Sequence, residues 1–185
     1  VGIVQMSDPN NTYQLVVVGN AVADGGGSSR IFAVSINKTN LAVGTETFRF
    51  YKIYPSSFFP TVPWNGNIIA NSVTGIFNDN HFLIAGKATI NGTATELPLL
   101  FSIDQNLDYV KMNMYHFSES SNDLNGEFFC AKQYNHDVGN GAEDRITAVG
   151  RVGEITTYST STDAFVMNAS DMQPGGGNGT PLWRT

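Results

Sequence analysis

The chain has 185 residues, with ten basic and sixteen acidic side chains and a formal charge of -6. Only 14% of its residues are charged, against roughly 25% in an ordinary globular domain. No basic cluster offers a footprint for nucleic acid or anionic lipid, and apolar runs such as "LVVV" are far too short to span a bilayer, which argues against both nucleic acid and membrane insertion.

Helical periodicity is absent throughout. Short β-branched and aromatic runs bounded by Gly, Asn, Ser and Pro predict an all-β chain. Taken in chain order, the strands fall into three copies of one pattern. "VGIVQM" leads into "QLVVVGNAV", then "RIFAVSIN" and "TFRFYKIY", which make a first unit over residues 1–54. Residues 55–66, rich in Pro and aromatics, read as a linker. The second unit, 67–117, runs "NSVTGIF", "HFLIAGKAT", "LPLLFSID" and "VKMNMYHF". A second linker covers 118–125. The third unit, 126–185, runs "EFFCAKQY", "RITAVGRVG" and "DAFVMN", with "TPLWRT" in the fourth place.

Two landmarks define the repeat. The first is a glycine after an apolar run, at Gly19, Gly86 and Gly150. The second is the end of the next strand, at Asn37, Asp104 and Asn168, and the intervals between copies match those of the glycines. The flanking "TFRFYKIY" precedes the strand holding Tyr115 and Phe117 by the same interval that separates Gly19 from Gly86, which sets Phe48 against Tyr115. Each unit is then expected to be a four-stranded antiparallel meander. One such sheet cannot bury its own faces, so neighbours must pack face to face.

The segments "FLIAGKA", "LLFSIDQNLDYVKMNMY", "DAFVMNAS" and "NGTPLW" carry a resemblance to secreted and cell-surface β-propeller-type repeat proteins. The resemblance implies a propeller-like stack of sheets and an extracellular or cell-surface location, and it brings no catalytic residue with it. Three units are fewer than the four to eight of a closed propeller. A β-sandwich fits the same strand lengths and turn spacing. The chain begins at Val1 rather than Met, which fits a processed or excised chain.

Few residues invite chemistry. His81, His116 and His136 lack metal-ligand spacing. The segment "NHDVGNGAED" offers Asp137, Asn140, Glu143 and Asp144 as oxygen donors for calcium, the one cofactor the sequence puts forward, although such residues are also ordinary turn formers. No nucleophile motif of the G-x-S-x-G kind occurs, and neither "GGG" run opens a helix where a phosphate could sit. The single cysteine, Cys130, alternates with polar residues and is expected to be buried.

Five N-x-S/T triplets, at Asn10, Asn37, Asn91, Asn168 and Asn178, fall at expected turns or strand ends and are candidate glycosylation sites. Asn37, Asn91 and Asn168 are expected to be exposed. Tyr54 and Trp64 lie where they could stack on sugars, or where they pin the first linker. The C-terminal strand, with Leu182 and Trp183, is the expected contact with other copies of the chain, reached through the glycine run before it. The sequence thus favours a non-catalytic, extracellular structural repeat that self-assembles into a filament or surface appendage. A carbohydrate- or protein-binding module, and a secreted hydrolase on a propeller scaffold, are the alternatives.

Overall fold

Three successive antiparallel sheets are laid down in chain order. A computed structural model describes residues 2–7, 12–22, 29–39, 46–54, 67–76, 81–89, 95–119, 122–137, 142–155, 160–170 and 181–184. Sheet 1 comprises β1 (Gly2–Ser7), β2 (Thr12–Val22), β3 (Ser29–Thr39) and β4 (Glu46–Tyr54). Sheet 2 comprises β5 (Ile68–Ile76), β6 (His81–Thr89), β7 (Glu96–Asp104) and β8 (Tyr109–Met114). A short ladder, β9 (Ser118–Glu119) with β10 (Asn122–Asp123), occupies the second linker. Sheet 3 comprises β11 (Asn125–Asp137), β12 (Ala142–Ile155), β13 (Thr160–Ser170) and β14 (Pro181–Arg184). Each sheet is a meander whose spatial order is its sequence order.

The three glycines occupy one position. Gly19, Gly86 and Gly150 lie in the second strand of their sheets, opposite Phe32, Leu99 and Phe165 of the third. In sheets 2 and 3 the first strand carries a β-bulge facing this glycine. Ala70 and Ser72 flank the extra residue Asn71, and Phe128 and Cys130 flank Phe129. The bulge pushes the first strand toward the second, so a Cβ on Gly86 would overlap the Ile69 carbonyl, and one on Gly150 the Glu127 carbonyl. Glycine is required there for space rather than for an unusual φ.

A second bulge recurs in all three fourth strands. It falls at Arg49, Val110 and Leu182, opposite the steps Ser35/Ile36, Ser102/Ile103 and Asn168/Ala169. These registers correct the alignment expected for the later strands. Ser35, Ser102 and Asn168 are equivalent, so Asn168 does not correspond to Asn37. Tyr54 lies opposite Ile31, and Tyr115 donates its N–H to the Pro98 carbonyl, so Tyr115 corresponds to Tyr54 rather than to Phe48. Connections of different length between strands account for the drift.

Alternation along the strands sends residues to opposite faces, and sheet 2 uses both. Phe82, Ile84, Leu99, Phe101 and Ile103 pack on Val16, Val18, Ile31 and Ala33 of sheet 1. Leu83, Ala85 and Leu100 pack on Phe128, Ile146, Ala148, Phe165 and Met167 of sheet 3. The near-continuous burial of β6 and β7 follows from lying between two neighbours.

Candidate functional site

The residues that repeat between sheets define where the chain makes contacts, and they are polar as well as apolar. Asn20 of β2 grips the backbone of Ala70 in the next sheet at two points. Its Nδ2 donates to the Ala70 carbonyl at 2.9 Å, and its Oδ1 accepts the Ala70 N–H at 2.8 Å. At the second interface the equivalent carbonyl, that of Phe128, accepts from an asparagine at a different position, the bulge residue Asn71 of β5, at 2.8 Å. The same Nδ2 also donates to Glu127 Oε2 at 3.0 Å, while Glu127 Oε1 lies 2.6 Å from Arg151 within sheet 3.

A second polar contact recurs at the start of the third strand. The Ser29 N–H donates to Asn67 Oδ1 at 2.7 Å, and the Glu96 N–H donates to Asn125 Oδ1 at 2.7 Å. An asparagine at the entrance to one sheet thus caps the third strand of the sheet before it. Side-chain amides suit this work because one group both donates and accepts. The sequence signal was present in the abundance of Asn, but the N-x-S/T triplets point to different asparagines.

The tyrosines complete each interface. Tyr54 is buried, its ring 5.0 Å from Phe101 in an edge-to-face contact, and its hydroxyl donates to the Leu107 carbonyl at 2.7 Å. Tyr115, its counterpart, lies edge-on to Phe128 at 5.3 Å. Burial pushes both phenols well above their ordinary range; the nearby Asp108 and Asp104 carboxylates add to the effect at Tyr54. Tyr54 is therefore part of the core and not a surface platform for sugars. Trp64, named with it, lies outside the described residues.

Two further expectations are corrected. Cys130 is exposed. The bulge at Phe129 breaks the alternation of β11, so Phe129 and Cys130 are both exposed between buried Phe128 and Ala131. Asn168 is buried, with 3% exposure, between Thr147 of β12 and Trp183 of β14, and its Nδ2 donates to the Tyr134 hydroxyl. Its side-chain nitrogen is not available to a glycan in the folded sheet. The polar residues at this register position, Ser35, Ser102 and Asn168, are all buried beside the fourth-strand bulge.

The remaining candidates are placed only in part. Asn10, Asn91, Asn140 and Asn178 lie outside the described residues, as do the side chains of Asn37, His136, Asp137, Glu143, Asp144, Leu182 and Trp183. Asn37 sits near the end of β3, opposite Gln14 and Thr47. Asp137, Glu143 and Asp144 belong to the far end of the β11–β12 hairpin, where Asn135 faces Asp144, His136 faces Glu143 and Asp137 faces Ala142. Among the described residues no group of three His, Cys, Asp or Glu side chains is assembled to hold a metal. His116 is exposed, and His81 is half-buried opposite Asp104, its Nδ1 enclosed without a partner among the described residues. The C-terminal strand β14 pairs with β13 of its own sheet, Trp183 opposite Asn168.

The fold and its contacts define an all-β chain of sheet repeats stacked in series. Comparison with protein-family models, curated proteins and solved structures finds no match to it.

Proposed function

We propose that this chain is a non-catalytic structural module of an extracellular or cell-surface protein, built as a propeller-like series of sheets, that assembles with further copies of itself into a larger structure such as a filament or appendage. One observation carries the reading. The chain stabilises itself by repeating one sheet-to-sheet contact, with equivalent asparagines (Asn67 and Asn125), tyrosines (Tyr54 and Tyr115) and apolar positions at both joints. Such a contact is extensible, because each sheet presents one face to its predecessor and the other to its successor. Low charge and an Asn-, Ser-, Thr- and Gly-rich composition accord with a secreted route, along which Asn10, Asn37, Asn91 and Asn178 are the sequons proposed to carry glycans. Calcium bound at the β11–β12 hairpin would be an accessory to this role.

Sedimentation velocity across a wide concentration range tests the reading. A mass rising in steps of one chain is expected. A chain that stays monomeric at the highest concentration overturns it, and a monomer that binds a glycan array saturably supports a binding module instead. Intact-mass analysis of native material checks the glycans.

A further inference from the structure

The two internal interfaces specify the two faces left over. Resting on the self-assembly reading, we propose that copies join head to tail, the outer face of sheet 3 in one copy taking the outer face of sheet 1 in the next. Both joints inside the chain follow one rule. Val16, Val18 and Ala33 of sheet 1 are equivalent to Leu83, Ala85 and Leu100 of sheet 2, and each set faces the following sheet. The positions of sheet 2 that face the preceding sheet are Phe82, Ile84, Leu99, Phe101 and Ile103.

Sheet 1 carries the same backward-facing positions, and among the described residues no sheet covers them. By register these are Leu15, Val17, Phe32, Val34 and Ile36, all apolar, all partly exposed and none a member of either core. Next to Phe32 stands Ile53, 39% exposed; its counterpart in sheet 2, Met114 beside Leu99, packs into the joint with sheet 1. Sheet 3 carries the forward-facing positions, and among the described residues no sheet covers them. Val149 and Val166 match Ala85 and Leu100, and neither belongs to a core.

The bulges supply an independent pointer. In sheet 2 the extra residue of the first-strand bulge, Asn71, crosses the joint to the carbonyl of Phe128. In sheet 3 the residue at that bulge is Phe129, which is 49% exposed. A large aromatic held out where its counterpart crosses to the next sheet is an anchor of the kind that dominates interfaces. Around it Lys132 and Arg151 are exposed, giving an apolar centre with a polar rim. The occupant that fits is a second copy, because its sheet 1 presents the apolar set that this kind of face already meets twice. The contact is heterologous, with different surfaces meeting, so it propagates in one direction and either closes a ring or extends a filament.

Two exposed substitutions separate this contact from others. Ile53→Asp should spoil the sheet 1 face, and Phe129→Asp the sheet 3 face, each lowering self-association at least about tenfold. An equimolar mixture retains one intact pair of faces and should form complexes of two chains and nothing larger. Circular dichroism of each variant should match the unaltered chain, since both side chains are already exposed. Either variant assembling as the unaltered chain does, or a mixture that remains single chains, overturns the face-to-face contact while leaving self-assembly through strand edges standing. An unaltered chain that is monomeric under the same conditions removes the assembly reading and this inference together.

Discussion

The Tyr54 hydroxyl donates to the carbonyl of Leu107 across 2.7 Å, tying the last strand of sheet 1 to the β7–β8 turn of sheet 2. Leu107 is fully buried and has φ 63°, in the left-handed region that a branched side chain rarely occupies. The turn is held by Asp104, whose Oδ1 accepts the N–H groups of Asn106 and Asp108 at 2.8 and 2.7 Å. The backbone conformation of one repeat is thus supported by a side chain from the one before it. Tyr54→Phe keeps the ring and removes the bond, leaving a buried carbonyl without its donor. A loss of about 1–2 kcal/mol is expected in urea unfolding, with the β circular-dichroism spectrum unchanged.

Alkaline pH should reveal what the two buried phenols contribute to stability. Burial raises Tyr54 and Tyr115 above the value of 10.0 expected in the unfolded chain. The unfolded state therefore releases their protons first, and the stability they contribute is complete below about pH 10 and lost as pH rises beyond it. Phenolate absorbance in the native chain should lack these two of the seven tyrosines until unfolding begins. Both ionising near pH 10 with the sheets intact would contradict their burial.

The repeated glycines are not equally replaceable. A methyl at Gly86 or Gly150 meets backbone, the Ile69 or Glu127 carbonyl, which cannot move without dislodging the bulged strand. At Gly19 it meets the ring of Phe32, on an outer face where a side chain can rotate aside. Gly86→Ala and Gly150→Ala should each cost about 3 kcal/mol, and Gly19→Ala about 1 kcal/mol. Thermal unfolding of the three variants orders them.

Native thiol chemistry should be fast and stoichiometric. Cys130 is exposed and is the only cysteine of the chain, so at dilutions where the chain is single a disulfide reagent should titrate one thiol per chain without denaturant. Reaction of the single chain only after unfolding would place the side chain inward and remove the Phe129 bulge.

Strand content, the number of copies and the placement of Gly19, Gly86 and Gly150 were legible in the sequence, because they depend on local pattern: apolar runs, turn residues and a glycine where two backbones meet. Register in the later strands was not legible. Spacing alone aligned Asn168 with Asn37, whereas ladder pairing aligns it with Ser35 and Ser102, and that small slip turns an exposed sequon into a buried side chain. Cys130 failed for the same reason, since one inserted residue at Phe129 reverses the facing that strict alternation assigns. Sequence left Tyr54 between stacking on sugars and pinning the first linker, because nothing local reveals that the Leu107 carbonyl of the next sheet awaits its hydroxyl. Only packing between sheets decided which faces are covered: Phe82 and Leu15 hold the same position, yet Phe82 is buried and Leu15 is not, because sheet 2 has a predecessor within the described chain and sheet 1 has none.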